Sequence, residues 1–399
     1  MKINKFLINI LLLISSILIT LVIAEVIVRI INIPETAKLE NHSIDGYTIR
    51  KPSLITNYKL NQYNNEIHFN EVGFRDDSWK INTEKIAVIG DSYMEALSIP
   101  EGEYFASILQ QITNQDVINI AREKFNTYEE VYFFKKFAAN LKPKLVLLFL
   151  YMNNDISFNH EYKKKYMGKN IEPINYIEKN GIYTLPNRKL SSNILSSIKV
   201  HLINKSLILP KLYSSILKIR YGIPSKAEMP ENGFASNFLD EIYIIDQYQS
   251  QKNIDNWKAT EDALIEIKEI VNQYGGEFVL ITFESRYNPK KSEFLDKDYP
   301  LQKISTIARG IELTHIPLNK FLEDYFSNIK EPKEGLHASD GHWNMLTHHI
   351  ITYYILQQLN NKNIILLNDE VTNELNYLLN KNPVELIGLD EYHKIYGQD

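Results

Sequence analysis

Three short polar clusters in this sequence contain the residue types that carry out acyl transfer. Ser92 follows the apolar run "IAVIG", residues 153–155 ("NND") follow "LVLLFLYM", and Asp340 and His342 lie in "HASDGHWN". In acyl transfer a serine hydroxyl attacks, a histidine removes its proton, an acid orients the imidazole, and amide donors stabilise the oxyanion. Each cluster alone also fits a simpler role, because Gly-Asp-Ser and Asn-Asn-Asp are common turn sequences.

The elements around these clusters predict a parallel sheet. Apolar strand patterns ("KIAVIG", "DVINIA", "PKLVLLFLYM", "EFVLITF") alternate with helical ones ("EGEYFASILQQI", "TYEEVYFFKKFAANL", "NWKATEDALIEIKEIVNQYGG", "WNMLTHHIITYYILQQL"). Continuous apolar runs are typical of parallel strands that helices cover on both faces. Ligand sites in such sheets lie beyond the carboxyl ends of the strands. Ser92 and residues 153–155 are therefore expected at a site.

The order of these motifs resembles that of the SGNH (GDSL-type) hydrolase superfamily over most of residues 66–358. The matching segments are "NEVGFRDDSW", "IAVIGDSY", "VINIA" with "FNTYEE", "PKLVLLFLYMNND" and "DGHWNMLTHH". The resemblance implies an α/β fold with a three-layer α/β/α, flavodoxin-like core and a parallel sheet. It also implies a serine-dependent esterase or O-acyltransferase that uses no cofactor.

The resemblance assigns roles to individual residues. Ser92 is the nucleophile, His342 is the base and Asp340 is the acid. Three donors converge on the oxyanion: the backbone N–H of Ser92, the backbone N–H of Lys124 and the side chain of Asn154.

The sequence departs from the family pattern at three positions. Lys124 and Met152 stand where glycine is common, and the acid often lies three residues before the histidine, at the position of Ser339 rather than Asp340. These departures keep a second hypothesis open. In it the chain is a catalytically silent glycan-binding or assembly protein that retains the fold.

The N-terminal region predicts a membrane anchor. Residues 6–24 carry no charge and are mostly Leu and Ile, after Lys2 and Lys5. Such a segment is long enough to cross the hydrocarbon core, and the positive-inside rule places the rest of the chain outside the cytoplasm. The predicted organisation is an anchor (1–32), a membrane-proximal linker (33–83), a hydrolase-like domain (84–360) with an insertion at about 160–250, and a helical tail (361–399).

Composition narrows the function further. A net charge of −5 argues against nucleic-acid binding, which requires an excess of Lys and Arg to neutralise phosphates. Without cysteine there is neither a disulfide nor a thiolate nucleophile. The histidines 337, 342, 348 and 349 match no zinc spacing, so no metal is expected. Location and resemblance together predict O-acetyl groups of a cell-surface glycan as the substrate, with a membrane acyl-donor protein as a partner if the reaction is transfer.

Overall fold

The computed structural model describes most of the region from residue 41 to residue 381. The described ranges are 41–60, 63–152, 155–186, 250–283, 298–327 and 341–381, apart from single positions within them (45, 46, 158, 167 and 170), together with residue 39 and isolated positions between 9 and 25. Asn154 and Asp340 lie outside the described residues, as do the segments 187–249 and 382–399.

A 5-stranded parallel sheet forms the centre of the domain. Its strands are β5 (Lys85–Ile89), β6 (Asp116–Asn119), β7 (Leu145–Tyr151), β10 (Glu277–Phe283) and β11 (Thr314–Pro317), in the spatial order β11-β10-β7-β5-β6. Counted from β5, this is the flavodoxin-like order 2-1-3-4-5. The predicted parallel sheet is confirmed, and the topological switch point of the sheet lies between β5 and β7.

Helices cover both faces of the sheet. Along β7, Val146 and Leu148 point into one hydrophobic cluster, and Leu147 and Phe149 point into the other. The helices are α1 (Ser92–Glu95), α2 (Phe105–Thr113), α3 (Thr127–Phe133, continued by a π-helical turn to Ala138), α4 (Asn159–Tyr166), α5 (Gln251–Gln273), α6 (Tyr299–Gly310), α7 (Asn319–Phe326), α8 (Met345–Asn361) and α9 (Asp369–Leu379). Helices α3, α5 and α6 pack on the first cluster, and α2, α7 and α8 pack on the second.

The segment predicted as a linker, 33–83, differs from that expectation where it is described. It forms two antiparallel hairpins, β1 (Asn41–Ile44) with β2 (Tyr47–Arg50), and β3 (Ile55–Leu60) with β4 (Tyr63–His68). Apolar side chains from this region are buried in the core, among them Ile49, Phe74 and Trp79. The strands are short and rich in polar residues, so the sequence gives no sustained period-2 signal.

The remaining regions are described in part. The predicted insertion begins with α4 and a small hairpin, β8 (Ile177–Lys179) with β9 (Ile182–Thr184), and the tail contains α9. The predicted anchor falls largely outside the described residues. Within the part of the chain that the structure describes, no helix is both long enough and apolar enough to span a membrane.

Candidate active site

Ser92 is the first residue of α1, directly beyond the carboxyl end of β5. A Cβ on Gly90 would lie 2.8 Å from the Met94 side chain and 3.3 Å from the Cβ of Phe149, so the turn needs glycine for close approach. Asp91 caps the helix, and its Oδ1 accepts the backbone N–H of Tyr93 at 2.9 Å. The apolar run stops at Gly-Asp-Ser because this turn places a half-buried serine at the rim of the sheet.

The structure brings Ser92 and His342 together. The Oγ of Ser92 lies 2.9 Å from Nε2 of His342, although the two residues are 250 positions apart in the chain. Oδ2 of Asp91 is 3.5 Å from the same Oγ, beyond the usual range for a hydroxyl donor. The imidazole is therefore the better acceptor for the serine proton. This is the contact that a serine nucleophile and its general base require.

An aromatic cluster that the sequence reasoning missed holds the imidazole in place. The Tyr93 ring lies 4.9 Å from the His342 ring and 5.0 Å from that of Trp343, between ring centroids. Phe283, the last residue of β10, contacts both Tyr93 and Trp343. The Tyr93 hydroxyl also donates to the carbonyl of Gly341 at 3.3 Å. These aromatic residues could have been found from their positions in the sequence, because each one adjoins a motif residue or ends a strand.

The loop that carries Lys124 runs alongside the nucleophile turn. The backbone N–H of Ile120 donates to the carbonyl of Val88 at 3.0 Å, and that of Arg122 donates to the carbonyl of Gly90 at 3.1 Å. These bonds extend the pairing of β5 and β6 past the ends of the strands. Lys124 has a φ of 70°, in the left-handed region that glycine adopts most easily. Its side chain is exposed to solvent, so the strain of the left-handed conformation lies in the backbone alone.

Replacing Lys124 with glycine is expected to leave kcat unchanged or to raise it. A non-glycine residue in the left-handed region costs about 1 to 2 kcal/mol, which glycine relieves. Lys124→Asn tolerates the same conformation without the ammonium, whereas the β-branched Lys124→Ile does not and should lose at least about tenfold in kcat. Steady-state hydrolysis of p-nitrophenyl acetate measures all three. If the glycine and asparagine variants both lose activity, the ammonium itself is a working group.

Asn154 and Asp340 lie outside the described residues. The described neighbours of Asn154 are well anchored. The backbone N–H of Met152 donates to the carbonyl of Phe283 at 3.0 Å, and Oδ2 of Asp155 accepts the N–H of Tyr151 at 2.6 Å. The roles predicted for Asn154 and Asp340 stay predictions.

The other described histidines of the C-terminal region have structural partners. Nδ1 of His348 lies 3.3 Å from the backbone N–H of Phe105, and burial lowers the pKa of His348 to about 3. His349 contacts Glu103 through Nε2 at 2.5 Å and the hydroxyl of Tyr353 through Nδ1 at 3.0 Å. Within the described ranges, no group of three or more His, Asp or Glu residues is arranged to hold a metal ion.

Buried carboxyl groups surround the base of the nucleophile turn. Asp91, Glu130 and Asp155 are each at most 1% exposed. Burial raises the pKa of Glu130 well above its ordinary value, and the Asp91 carboxyl raises it further. Burial likewise raises the pKa of Asp155, with Glu130 and Asp91 adding to the effect. Glu130 and Asp155 therefore favour their neutral forms in the folded protein.

The contribution of Glu130 to the free energy of unfolding is expected to fall as pH rises, and Glu130→Gln should remove that contribution from the pH dependence. Because the pKa of Glu130 is raised on folding, its contribution is fully present below the pKa of the unfolded chain. It is lost as pH rises towards the folded value, by up to about 1.4 kcal/mol per pH unit. Urea unfolding of the full chain at several pH values between 4 and 8 measures the slope. The exposed-site variant Glu161→Gln is the control, and an equal slope in both variants contradicts the prediction.

The segment "NEVGFRDDSW" braces the nucleophile turn, a role that sequence reasoning did not find. Arg75 is fully buried and donates to the carbonyls of Glu95 (3.1 Å), Ala96 and Ile99 (2.5 Å), just past the end of α1. These carbonyls end a helix and need donors. Asp76 accepts the N–H of Asn119 at 2.7 Å and so fixes the end of β6.

Comparisons with known proteins identify similar folds. No protein-family model matches the chain, and no curated protein matches it. An alpha/beta hydrolase enzyme from the metagenome of Lake Arreo, Spain, is 10% identical over 70% of this chain and 95% of its own, with a TM-score of 0.37. An acetyl xylan esterase is 11% identical over 69% and 99%, with a TM-score of 0.37. A member of the lipolytic protein G-D-S-L family from Veillonella parvula is 10% identical over 69% and 97%, with a TM-score of 0.35. At these identities the likeness concerns the fold alone.

Proposed function

We propose that this chain is a serine-dependent esterase or O-acyltransferase of the SGNH type, with Ser92 as nucleophile and His342 as general base. The observation that carries the proposal is the 2.9 Å contact between Ser92 Oγ and His342 Nε2. The contact lies at the carboxyl end of β5, beside the switch point of the sheet, where ligands bind in open α/β folds. Both side chains are half-buried, so they are held in place and a substrate can still reach them.

The reaction follows from this geometry. Ser92 Oγ attacks the acyl carbon while Nε2 of His342 takes the hydroxyl proton. Negative charge develops on the carbonyl oxygen, where the N–H groups of Ser92 and Lys124 and the Asn154 amide are proposed to donate. Collapse of the intermediate expels the alcohol, which receives the proton from His342 and leaves an acyl-Ser92 ester. Water or an acceptor hydroxyl then attacks that ester, giving the free acid or a new ester and restoring Ser92.

The proposed substrate is an O-acetyl group on a cell-surface glycan. The resemblance to SGNH enzymes supports an ester, and the predicted anchor supports a substrate at the cell surface. If the second half-reaction is transfer, a membrane acyl-donor protein is the proposed partner that supplies the acetyl group.

A fluorophosphonate probe tests the activity directly. Wild-type protein should label, and Ser92→Ala should not, because the probe phosphonylates an activated serine. Acetate release from acetylated xylan, measured with and without a deacetylated oligosaccharide acceptor, separates hydrolysis from transfer. Labelling that persists in Ser92→Ala overturns the assignment. No labelling and no acetate release from the folded wild type favour the silent binding protein.

We also propose that residues 1–32 anchor the chain in the cell membrane as a single span, with the catalytic domain on the extracytoplasmic side. The uncharged segment 6–24 supports this, and so do the apolar side chains that it leaves exposed, such as Leu12 (64%) and Val22 (63%).

A reporter fused after Asp399 is expected to behave as exported, and the protein is expected to need detergent for extraction. Lys2 and Lys5 are the positive residues that set the orientation. A cytoplasmic reporter, or release of the full chain without detergent, contradicts the topology.

A further inference from the structure

The carboxylate of Glu95 joins three separate parts of the chain. Glu95 is the last residue of α1, three positions after Ser92, and is 1% exposed. Its Oε2 accepts the backbone N–H of Glu123 at 2.7 Å. Arg50, from β2, donates through Nε to Oε1 at 2.7 Å and through Nη2 to Oε2 at 2.9 Å. One buried side chain therefore connects the nucleophile helix, the loop before Lys124 and the N-terminal hairpin.

The pairing with Glu95 favours the charged form of Arg50 in a buried site. Arg50 is 3% exposed, and burial alone lowers the pKa of its guanidinium. Attraction and hydrogen bonds to the Glu95 carboxylate, with smaller contributions from Glu123, more than offset that effect, so the pKa of Arg50 is raised overall. A bidentate arginine–carboxylate pair fixes the orientation of the carboxylate as well as its charge. The second oxygen of Glu95 is thereby aimed at the Glu123 N–H.

The hairpin β1–β2 also contacts the loop directly. Asn41 pairs with Arg50 across the hairpin. Its Oδ1 accepts from Nη1 of Arg50 at 3.4 Å and from Nη2 of Arg122 at 3.1 Å. Arg50 also lies 3.3 Å from Oε1 of Glu123 through Nη2. The hairpin therefore holds two successive residues of the loop, Arg122 and Glu123, and α1 holds Glu123 as well.

We propose that Glu95 is a positioning residue for the loop that carries Lys124 (residues 120–125), and that Arg50 of the N-terminal hairpin holds Glu95 in its working orientation. The proposal rests on the proposed function, in which the Lys124 N–H is an oxyanion donor. The Glu123 N–H that Glu95 binds belongs to the residue immediately before Lys124, where the backbone is strained at a φ of 70°. Without that bond the turn can relax, and the Lys124 N–H moves away from the charge it must meet.

The proposal gives the hairpin a part in catalysis. In chain order it is the described segment next to the predicted anchor, and Ile44 and Ile49 dock it in the core. The hairpin acts on the loop directly, through Asn41 and Arg50, and the charge of Arg50 also reaches it through Glu95.

Two variants separate positioning from mere stabilisation. Glu95→Gln keeps the shape but loses the charge, and Arg50→Lys keeps the charge but loses the bidentate geometry. With p-nitrophenyl acetate, we expect Glu95→Gln to lower kcat at least about 30-fold and Arg50→Lys about fivefold to tenfold, with KM within about threefold of wild type. The matched control is Glu266→Gln on α5, which alters a half-buried carboxylate paired with Lys135 at 2.5 Å. That control should keep kcat within about twofold.

Hydrogen exchange in the full chain supplies a readout that needs no turnover. Glu95→Gln should raise amide exchange in residues 120–125 above the level of the Glu266→Gln control. If the wild type shows no Ser92-dependent turnover, the proposed function fails and exchange alone tests the link between Glu95 and the loop. The inference is overturned if exchange in 120–125 stays at the control level, or if kcat falls only as far as in the control. If Glu95→Gln does not fold, Arg50→Lys is judged by the same criteria.

Discussion

Ser92→Ala and His342→Ala are each expected to lower kcat for ester hydrolysis by several orders of magnitude, on the order of 10⁶-fold at the extreme. The Oγ of Ser92 is the only atom of that side chain that can bond to the acyl carbon. His342 Nε2 lies 2.9 Å from it, where it can take the proton as the new bond forms. Alanine at either position leaves no nucleophile or no base.

The double variant should be no worse than either single variant. Nucleophile and base act as a unit, so losing the second partner removes nothing that the first loss has left working. The measurement is initial velocity with p-nitrophenyl acetate, alongside fluorophosphonate labelling of Ser92. Additive losses in the double variant would mean that the two residues contribute separately.

Matched controls exclude a general loss of folding. Ser107→Ala removes a hydroxyl on α2 that lies 3.4 Å from Gln111. His349→Gln alters a histidine that contacts Glu103 and Tyr353 instead of Ser92. Both controls should retain kcat within about threefold, since neither group reaches the nucleophile.

The central sheet was predictable from sequence because its strands have an unmistakable local signal. β7 is a continuous apolar run, LVLLFLY, with six of its seven residues buried. A parallel strand that helices cover on both faces must read this way. Strands β1 to β4 carry no such signal, as in NHSI and YNNEIH, because each lies in a small hairpin with polar residues exposed. β11 was missed because its four residues, THIP, contain no apolar run.

The site was predictable only in part. Strand ends located Ser92, whereas the proximity of His342 came from resemblance, since no periodicity connects residues 250 positions apart. The contact between Arg50 and Glu95 spans 45 positions and has no local signature at all. The left-handed conformation of Lys124 could not be predicted, because glycine often marks a position with positive φ and lysine does not. Long-range charge pairs and backbone strain arise only when the chain has folded, so no local sequence pattern predicts them.

Asp340→Asn is expected to lower kcat by about 10⁴-fold with little change in KM. For His342 to take the serine proton, Nε2 must be unprotonated and Nδ1 must carry the hydrogen, because Nε2 is the atom that faces Ser92. A carboxylate that accepts from Nδ1–H selects this tautomer and stabilises the imidazolium that forms. An asparagine amide can donate to Nδ1 instead, which favours the wrong tautomer.

The structure makes this a clean test of charge and tautomer. Tyr93 packs against the His342 ring and is itself packed against Trp343, and neither contact involves Asp340. The ring should therefore keep its place in Asp340→Asn, and the loss should appear in kcat. Steady-state kinetics with p-nitrophenyl acetate measure kcat and KM separately and so show which of the two changes. Ser339→Ala is the control, expected to stay within about threefold of wild type because its hydroxyl is not the predicted acid.

A second substitution shows whether a carboxylate near Nδ1 is what matters. Adding Ser339→Asp to the Asp340→Asn variant places an acid three residues before His342, the spacing that SGNH enzymes often have. Partial recovery of kcat is expected, since a carboxylate at either position supplies the same acceptor. If Asp340→Asn alone stays within tenfold of wild type, a backbone carbonyl or a different acid orients His342. In that case Asp340 has no part in the triad, and the added acid should have no effect.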